Sequence, residues 1–437
     1  MHKFHFLTLH YSLFTSLSPR GGSGWGFPPL LTLLVFLLTS CIDYDDASRL
    51  VNVKVQLNAP AEYLPGTAVG EREITMTKTG TSTGALTSTT DANGVAVFEG
   101  CMPDVYDIST SWELTGDEYL AATGKPGSAN GYMVTASVSE QPLTEAQEQT
   151  PVMLQAVIAA KPALIISKIY CSGSRDANNK TYMPGKYIEL FNQSDEAMDI
   201  SGLYIGLLES SSPQIYTLTQ LNEVYNGEKV VVKQVFQIPA DEPFLLPARS
   251  TVLLVNSATD HSDVSDYEYD LRGADFEAKS TDSRHENNDA VKALTLAFST
   301  FSAPLTYMNL MQGGPCGIII FSTDDDITTW EKTYGYGKTT GTLSYLLIPK
   351  DIIRDGVDFL KKNNTSGGAD ISTKRLYQDI DAGYVNISSA SGYTGEVVYR
   401  RTVGTTADGG KILMDTNNSS NDFKVSTTIK PREYDEE

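Results

Sequence analysis

From residue 48 onward few stretches of the chain sustain a 3.6-residue apolar period. Short alternating apolar runs recur instead between Gly, Asn, Asp and Thr at close spacing. A chain punctuated this often builds strands and turns, which predicts an all-β protein. Val51, Val53, Val55 and Leu57 alternate with Asn52, Lys54 and Gln56, the pattern of a strand with one wet face. About 400 residues exceed what one sandwich holds, so at least two domains are expected. The boundary is placed at Ala159-Ala160-Lys161-Pro162, between an apolar run ending at Ile158 and one beginning at Ala163. This gives domains 48–160 and 161–437, the second with a long insertion at about 260–410. One short helix is predicted near 350–360, where Ile352, Ile353, Val357 and Leu360 would share a face.

The segment before residue 48 carries an address. The apolar run Leu30 to Ser40 is too short to span a hydrocarbon core of about 30 Å as a helix, and it reads as a signal-peptide core. Leu38-Thr39-Ser40-Cys41 resembles the lipobox of bacterial lipoproteins. The resemblance implies removal of residues 1–40 and diacylation of Cys41, whose two or three acyl chains would anchor the protein firmly in a membrane. Residues 41–47 would then form a tether. Its Asp43, Asp45 and Asp46 resemble the surface-export signal of gut-dwelling Gram-negative anaerobes, which implies an outer-membrane, lipid-anchored protein facing outward.

The chain carries 54 acidic against 33 basic residues, a net charge of −21, and segment 1–40 contributes only Lys3 and Arg20 to that balance. Such a surface repels phosphate backbones, and no run of Lys or Arg exceeds two residues, which argues against a nucleic-acid partner. With Cys41 lipidated, Cys101, Cys171 and Cys316 form an odd set without CxxC spacing. They are read as buried small hydrophobes, with neither a disulfide framework nor a zinc site indicated.

His261 and His285 are the only histidines after the leader, and both fall in the polar stretch 260–289. Neither sits in GxSxG, HExxH or a similar motif, so they are read as solvated loop histidines and no catalytic residue is assigned. Asp415, Asn417, Ser419 and Asn421 occupy alternate positions, like the front of an EF-hand loop, and form a calcium candidate. Ser420 stands where Gly is needed and Ser426 where a bidentate Glu should be. The competing expectation is a turn in which Asp415 and Asn417 accept backbone hydrogens. Asp260, Asp263, Asp266 and Asp324 to Asp326 read as solvated loop acids. Tyr267, Tyr269, Tyr334 and Tyr336 cluster in loops, where aromatic faces can meet a sugar, although tyrosines of a sandwich are commonly strand residues.

Three resemblances organise the rest. Thr90-Asp91-Ala92-Asn93-Gly94-Val95-Ala96-Val97-Phe98 followed by Pro103-Asp104-Val105-Tyr106 is read as a hairpin. It resembles the transthyretin-like, carboxypeptidase-regulatory-type sandwich, with Asp104 in place of the usual Gly; such modules act as scaffolds. Leu164 to Tyr170, Tyr187-Ile188-Glu189-Leu190-Phe191-Asn192, Asp199-Ile200-Ser201-Gly202 and the run Leu246 to Val255 resemble the lamin-tail domain, an immunoglobulin-like sandwich. That implies Ile188, Leu190 and Ile200 in the core, with Glu189 and Asn192 satisfying backbone donors. With Asp270 to Glu277, Asp381 to Tyr384 and Asp415 to Phe423, the whole resembles a family of gut-bacterial surface lipoproteins of the domain of unknown function 4876 type.

The expected fold is therefore two tandem immunoglobulin-like and transthyretin-like β-sandwiches with long loops. The expected role is a non-catalytic, lipid-anchored binding or scaffold module without a resident cofactor, whose partner is a cell-surface glycan or an outer-membrane protein. The alternatives are a secreted hydrolase with its active site in the 260–410 insertion and an accessory to a TonB-dependent transporter.

Overall fold

Val51, Val53, Val55 and Leu57 are all buried and Asn52 and Lys54 exposed, so the first strand, Val51–Asn58, has the one wet face that its alternation dictates. The computed structural model describes residues 49–81, 84–302, 305–365 and 367–436. Cys41, the apolar run before it and Asp43, Asp45 and Asp46 lie outside the described residues. The protein is nearly all β, and its described residues belong to one compact unit.

Within that unit the strands before residue 161 form two sheets over one core. Val51–Asn58 lies between Val95–Cys101 and Val152–Gln155, and the facing sheet runs Leu86–Thr89, Glu73–Lys78, Asp104–Leu114, Tyr132–Leu143, Val157–Ala160. Ile74, Met76, Ile108, Val134 and Ala136 pack against the valines of the first strand. The Asp91–Gly94 segment is a tight turn, with the Asp91 carboxylate accepting from the Asn93 and Val95 amides at 2.8 and 2.9 Å. It does not join a hairpin. Leu86–Thr89 pairs with Glu73–Lys78 and Val95–Cys101 with Val51–Asn58, so the turn carries the chain from one sheet to the other. Gly94 has φ +80°, and a Cβ there would sit 2.6 Å from the Leu57 carbonyl.

Two seven-stranded sheets follow. One runs Lys292–Ala293, Phe276–Glu277, Thr251–Val255, Tyr187–Asn192, Leu164–Tyr170, Val397–Arg400, Phe423–Ser426. The other runs Lys332–Thr333, Tyr345–Pro349, Lys229–Gln237, Tyr204–Leu208, Ile318–Phe321, Ile353–Val357, with Thr295–Ser299 also paired to Lys229–Gln237. Ile188, Leu190 and Ile200 are in the core between them. The helix expected near 350–360 is absent: Lys350–Ile352 makes one tight turn, and Ile353–Val357 pairs antiparallel with Ile318–Phe321. Backbone pairing to a buried strand outweighs a short amphipathic pattern here.

Leu164–Tyr170 and Tyr187–Asn192 are buried along their whole length. One face meets the core, and the other is covered by residues 430–434. Lys168, fully buried, pairs with Glu189 at 3.2 Å and donates to the carbonyls of Lys430 and Glu433 at 2.7 and 2.8 Å. Glu189 in turn accepts from the Arg432 amide at 2.6 Å and from the Tyr434 hydroxyl at 3.2 Å. Asn192 donates to the carbonyls of Glu196, Leu246 and Pro247, and its oxygen accepts from the Ser194 amide. Both residues thus satisfy backbone groups, as a polar side chain in a fully buried strand must.

The bodies on either side of residue 161 touch directly. Ser137 Oγ donates to the Ala382 carbonyl at 2.5 Å, and Gln378 Nε2 to that of Gln155 at 3.0 Å.

Candidate functional site

The stretch 257–289 is held from within by Glu277. Its buried carboxylate accepts from the Ala258 amide at 2.7 Å and the Asn288 amide at 3.0 Å, tying both ends of the segment to the sheet edge. The two histidines are consequently not solvated: His261 is 2 % and His285 6 % exposed. Polarity of the surrounding sequence misleads because the polar side chains are consumed in binding backbone.

Across from them, the short hairpin Ser174–Arg175 and Thr181–Tyr182 closes through Asp176, which accepts from the Asn178 and Lys180 amides, both at 2.8 Å. The hairpin delivers the Tyr182 hydroxyl to His261 Nδ1 at 2.6 Å, and His261 Nε2 lies 2.8 Å from the Ser257 carbonyl. A carbonyl can only accept, so Nε2 carries the proton and Nδ1 accepts from Tyr182. Burial pushes the His261 pKa down, which keeps the ring neutral. Glu268 accepts from Tyr170 at 2.8 Å and from Ser174 at 2.6 Å, and burial pushes its carboxyl up to about 7. Gly185 packs beside it: a Cβ there would lie 2.0 Å from Glu268 Oε2, so the carboxyl would have to shift.

His285 differs from His261 in having no hydrogen-bond partner on either ring nitrogen among the described residues. Its ring stacks on Tyr307 at 4.0 Å and 21°, and burial pushes its pKa down to about 4. Arg284, next to it, is held by two bonds to Asp282 at 2.9 and 2.6 Å. His285 borders two clefts. One, of about 490 Å³, is lined by Tyr182, Ser257, His261, Arg284 and Glu286. The other, of about 240 Å³, is lined by Lys186, Asn256, Tyr307, Gln312 and Tyr393. Lys186 donates to the Leu310 carbonyl at 2.7 Å, and burial lowers its pKa to about 8. The site therefore offers neutral imidazole, phenol and amide groups beside the restrained guanidinium of Arg284, the ammonium of Lys186 and the carboxylates of Asp260 and Glu286. That set suits hydrogen bonding to a polar ligand better than proton abstraction.

The calcium candidate folds differently from its sequence pattern. Asp415 Oδ1 lies 3.2 Å from Arg400, Asn417 Nδ2 donates to the Gln378 carbonyl, and Ser419 Oγ donates to Asp381. Asn421 lies in the short helix Ser419–Asp422. Asp415 and Asn417 do not accept the turn's backbone hydrogens; Asp422 accepts from Thr416, and Asn418 caps the helix through the Ser420 amide. A buried guanidinium already supplies the positive charge that Asp415 faces. Arg400 also bonds the carbonyls of Ile166 and Met414, both at 2.8 Å, pairs with Asp422 at 3.0 Å and Asp355 at 3.4 Å, and lies over the buried Phe423 ring at 4.8 Å. Among the described residues no group of three His, Cys, Asp or Glu is placed to hold a metal ion.

Asp263, Asp266, Asp324 and Asp325 are exposed, and some of the other loop acids and tyrosines have local partners. Asp260 accepts from Ser262 and Asp326 caps the turn Ile327–Thr329. Tyr267, Tyr334 and Tyr336 are exposed, with Tyr336 donating to Glu223 at 3.1 Å, whereas Tyr269 is packed under Leu271 and Val255. Cys101, Cys171 and Cys316 are all buried free thiols.

Residues 246–430, less than half the chain, match the model of a family described as protein of unknown function (DUF4876). The matched span contains His261, His285, Glu268 and Arg400 with its partners Asp355, Asp415 and Asp422. No curated protein matches the chain. A crystal structure of a DUF4876 family protein from Bacteroides thetaiotaomicron VPI-5482 is similar over 86 % of this chain and 94 % of its own, at 18 % identity and a TM-score of 0.50. At that identity the likeness speaks for the fold alone.

Proposed function

We propose that this chain is a non-catalytic binding module, anchored to the outer membrane through lipid on Cys41, facing outward, and that it takes a polar saccharide in the clefts beside His285. The observation that carries the binding reading is His285 itself, a buried imidazole with two unpartnered nitrogens at the border of two clefts. Leaving such groups unmet costs about 1–3 kcal/mol each, and a ligand's hydroxyls would recover it. Tyr307 behind the ring and Tyr393 in the wall supply apolar faces of the kind sugars contact. A binder is favoured over the hydrolase alternative because Glu268, a carboxyl beside these clefts with its pKa raised to about 7, is only 3 % exposed and already occupied by Tyr170 and Ser174.

The test is a glycan array of neutral plant and mucin oligosaccharides, followed by calorimetry on the strongest hit with wild type and His285→Phe. A tenfold or greater loss of affinity in the variant is expected. Absence of any hit, or equal binding by both proteins, would remove the site. The anchor is tested separately: detergent-phase partition should be lost in Cys41→Ala.

A further inference from the structure

The five-stranded sheet of the first body has two unlike faces. Ile74, Met76, Ile108, Val134 and Ala136 point into the core, and the residues between them point outward, as strand alternation requires. On the outer face Thr75 pairs with Ser109 and Ser109 with Ser137, so hydroxyls stand side by side across three strands, with Thr77, Ser111 and Ser139 continuing the shelf along them. All six are half-buried. Ser137 closes one edge of the shelf through its bond to the Ala382 carbonyl in the second body. Apolar side chains would seal the rest of such a contact; these small hydroxyls leave a cleft of about 690 Å³, whose opposite wall includes Gly383, Arg401, Asn418 and Asn421. That volume lies in the range of small-molecule sites.

Two arginines line this cleft, Arg72 from the first body and Arg401 from the second. The Arg72 guanidinium lies over the Trp112 ring at 4.6 Å, which holds its face and leaves its N–H edge. Nε of each arginine is buried and has no hydrogen-bond partner among the described residues. Although the chain holds 54 acidic residues, neither guanidinium forms an ion pair among the described residues. An unmet buried donor is costly, and the N–H edge of a guanidinium matches the paired oxygens of a carboxylate. Glu71 and Glu73 border the cleft from exposed positions, where water screens their charge. Asp107 accepts from the Glu140 amide at 2.8 Å at the end of the shelf away from Trp112, about 16 Å along the strand at ~3.3 Å per residue. We infer that this cleft is a second binding site, separate from the clefts beside His285, and that it takes an acidic saccharide whose carboxylate meets Arg72 and Arg401 while its hydroxyls lie along the serines and threonines. The net charge of the chain repels anions at long range, so recognition falls to these two contact groups, and a neutral sugar of the same shape offers them no charged acceptor. The site is complete only when both bodies are present, because each supplies one arginine.

The test is calorimetric titration of the intact protein with trigalacturonic acid and, separately, with its methyl ester. Binding of the acid is expected, with the ester at least tenfold weaker. Arg72→Gln and Arg401→Gln should each weaken binding of the acid tenfold or more. Thermal melts of both variants accompany the titrations; if Arg72→Gln lowers the melting temperature by loosening Trp112, Arg401→Gln in the other body decides. Absence of binding, equal affinity for acid and ester, or full affinity in a folded Arg401→Gln would overturn the proposal. A loss found in His285→Phe in place of the arginine variants would overturn it as well, since the acid would then occupy the clefts beside His285. Failure of neutral sugars to bind those clefts leaves the expected results here unchanged, so the two sites stand or fall separately.

Discussion

Arg400→Met removes the one cation of a fully buried network and leaves its carboxylates behind. Arg400 is 2 % exposed, and its guanidinium serves Asp355, Asp415, Asp422 and the carbonyls of Ile166 and Met414. Deleting one partner of a buried ion pair costs about 3–5 kcal/mol, because the other is left charged and unpaired. For a unit of this size, unfolding entropy converts about 4 kcal/mol into a Tm loss of about 5 °C. The loss should also depend on pH. Burial already raises the pKa of Asp355 and Asp422 in the native protein, and the charge of Arg400 opposes that rise. Without Arg400 the native state holds these protons more tightly than the unfolded chain does. Stability then increases as pH falls toward the ordinary carboxylate value. Scanning calorimetry should therefore find the largest gap between wild type and Arg400→Met at pH 8 and a smaller one at pH 5. A loss under about 1 kcal/mol at pH 8, or an equal gap at both pH values, would refute the assignment of this network as a buried carboxylate cluster held by one guanidinium.

Glu268 has its carboxyl raised from 4.5 to about 7, so the stability it contributes is complete below pH 4.5 and is lost as pH rises through 7. Glu268→Gln should remove that dependence, a difference of about 3 kcal/mol between pH 4.5 and 8 read from paired urea titrations, and parallel pH profiles would reject it. Gly94→Val must place a side chain at φ +80° with its Cβ 2.6 Å from the Leu57 carbonyl. A destabilisation of about 2 kcal/mol or more is expected in urea unfolding, and a neutral result would mean the turn can be rebuilt. Phe423 is 5 % exposed beneath Arg400, and Phe423→Ala should cost about 3–5 kcal/mol by the same measurement.

Local pattern was legible wherever one face of a strand is wet. Val51 to Leu57 and the turn glycine at 94 follow directly from alternation and turn chemistry, and Ile188, Leu190 and Ile200 take the core positions that the lamin-tail resemblance implies. Pairing was less legible, because it is a property of distant segments. The Asp91–Gly94 turn has every local mark of a hairpin, and only the partners of its flanking strands, residues 51–58 and 73–78, make it a crossing between sheets. The histidines were misjudged for a related reason. Asp282, Arg284, Glu277 and Asn288 look solvent-directed in sequence, yet each is spent on a neighbour within the fold, and that shields His285. Asp415 shows the same limit. Its spacing suggests a cation loop, and the cation present is a side chain fifteen residues earlier.

The clasp of residues 430–434 over Lys168 and Glu189 sets an order for the fold. Until those residues arrive, the ammonium of Lys168 in the middle of the Leu164–Tyr170 strand lacks two carbonyl acceptors, and Glu189 lacks the Arg432 amide. The same strand waits for Val397–Arg400 on its other edge. A chain threaded through a membrane from its leading end would therefore carry the first sandwich across complete and the second unfinished. Its central strands would stay open until the last tenth of the sequence had emerged.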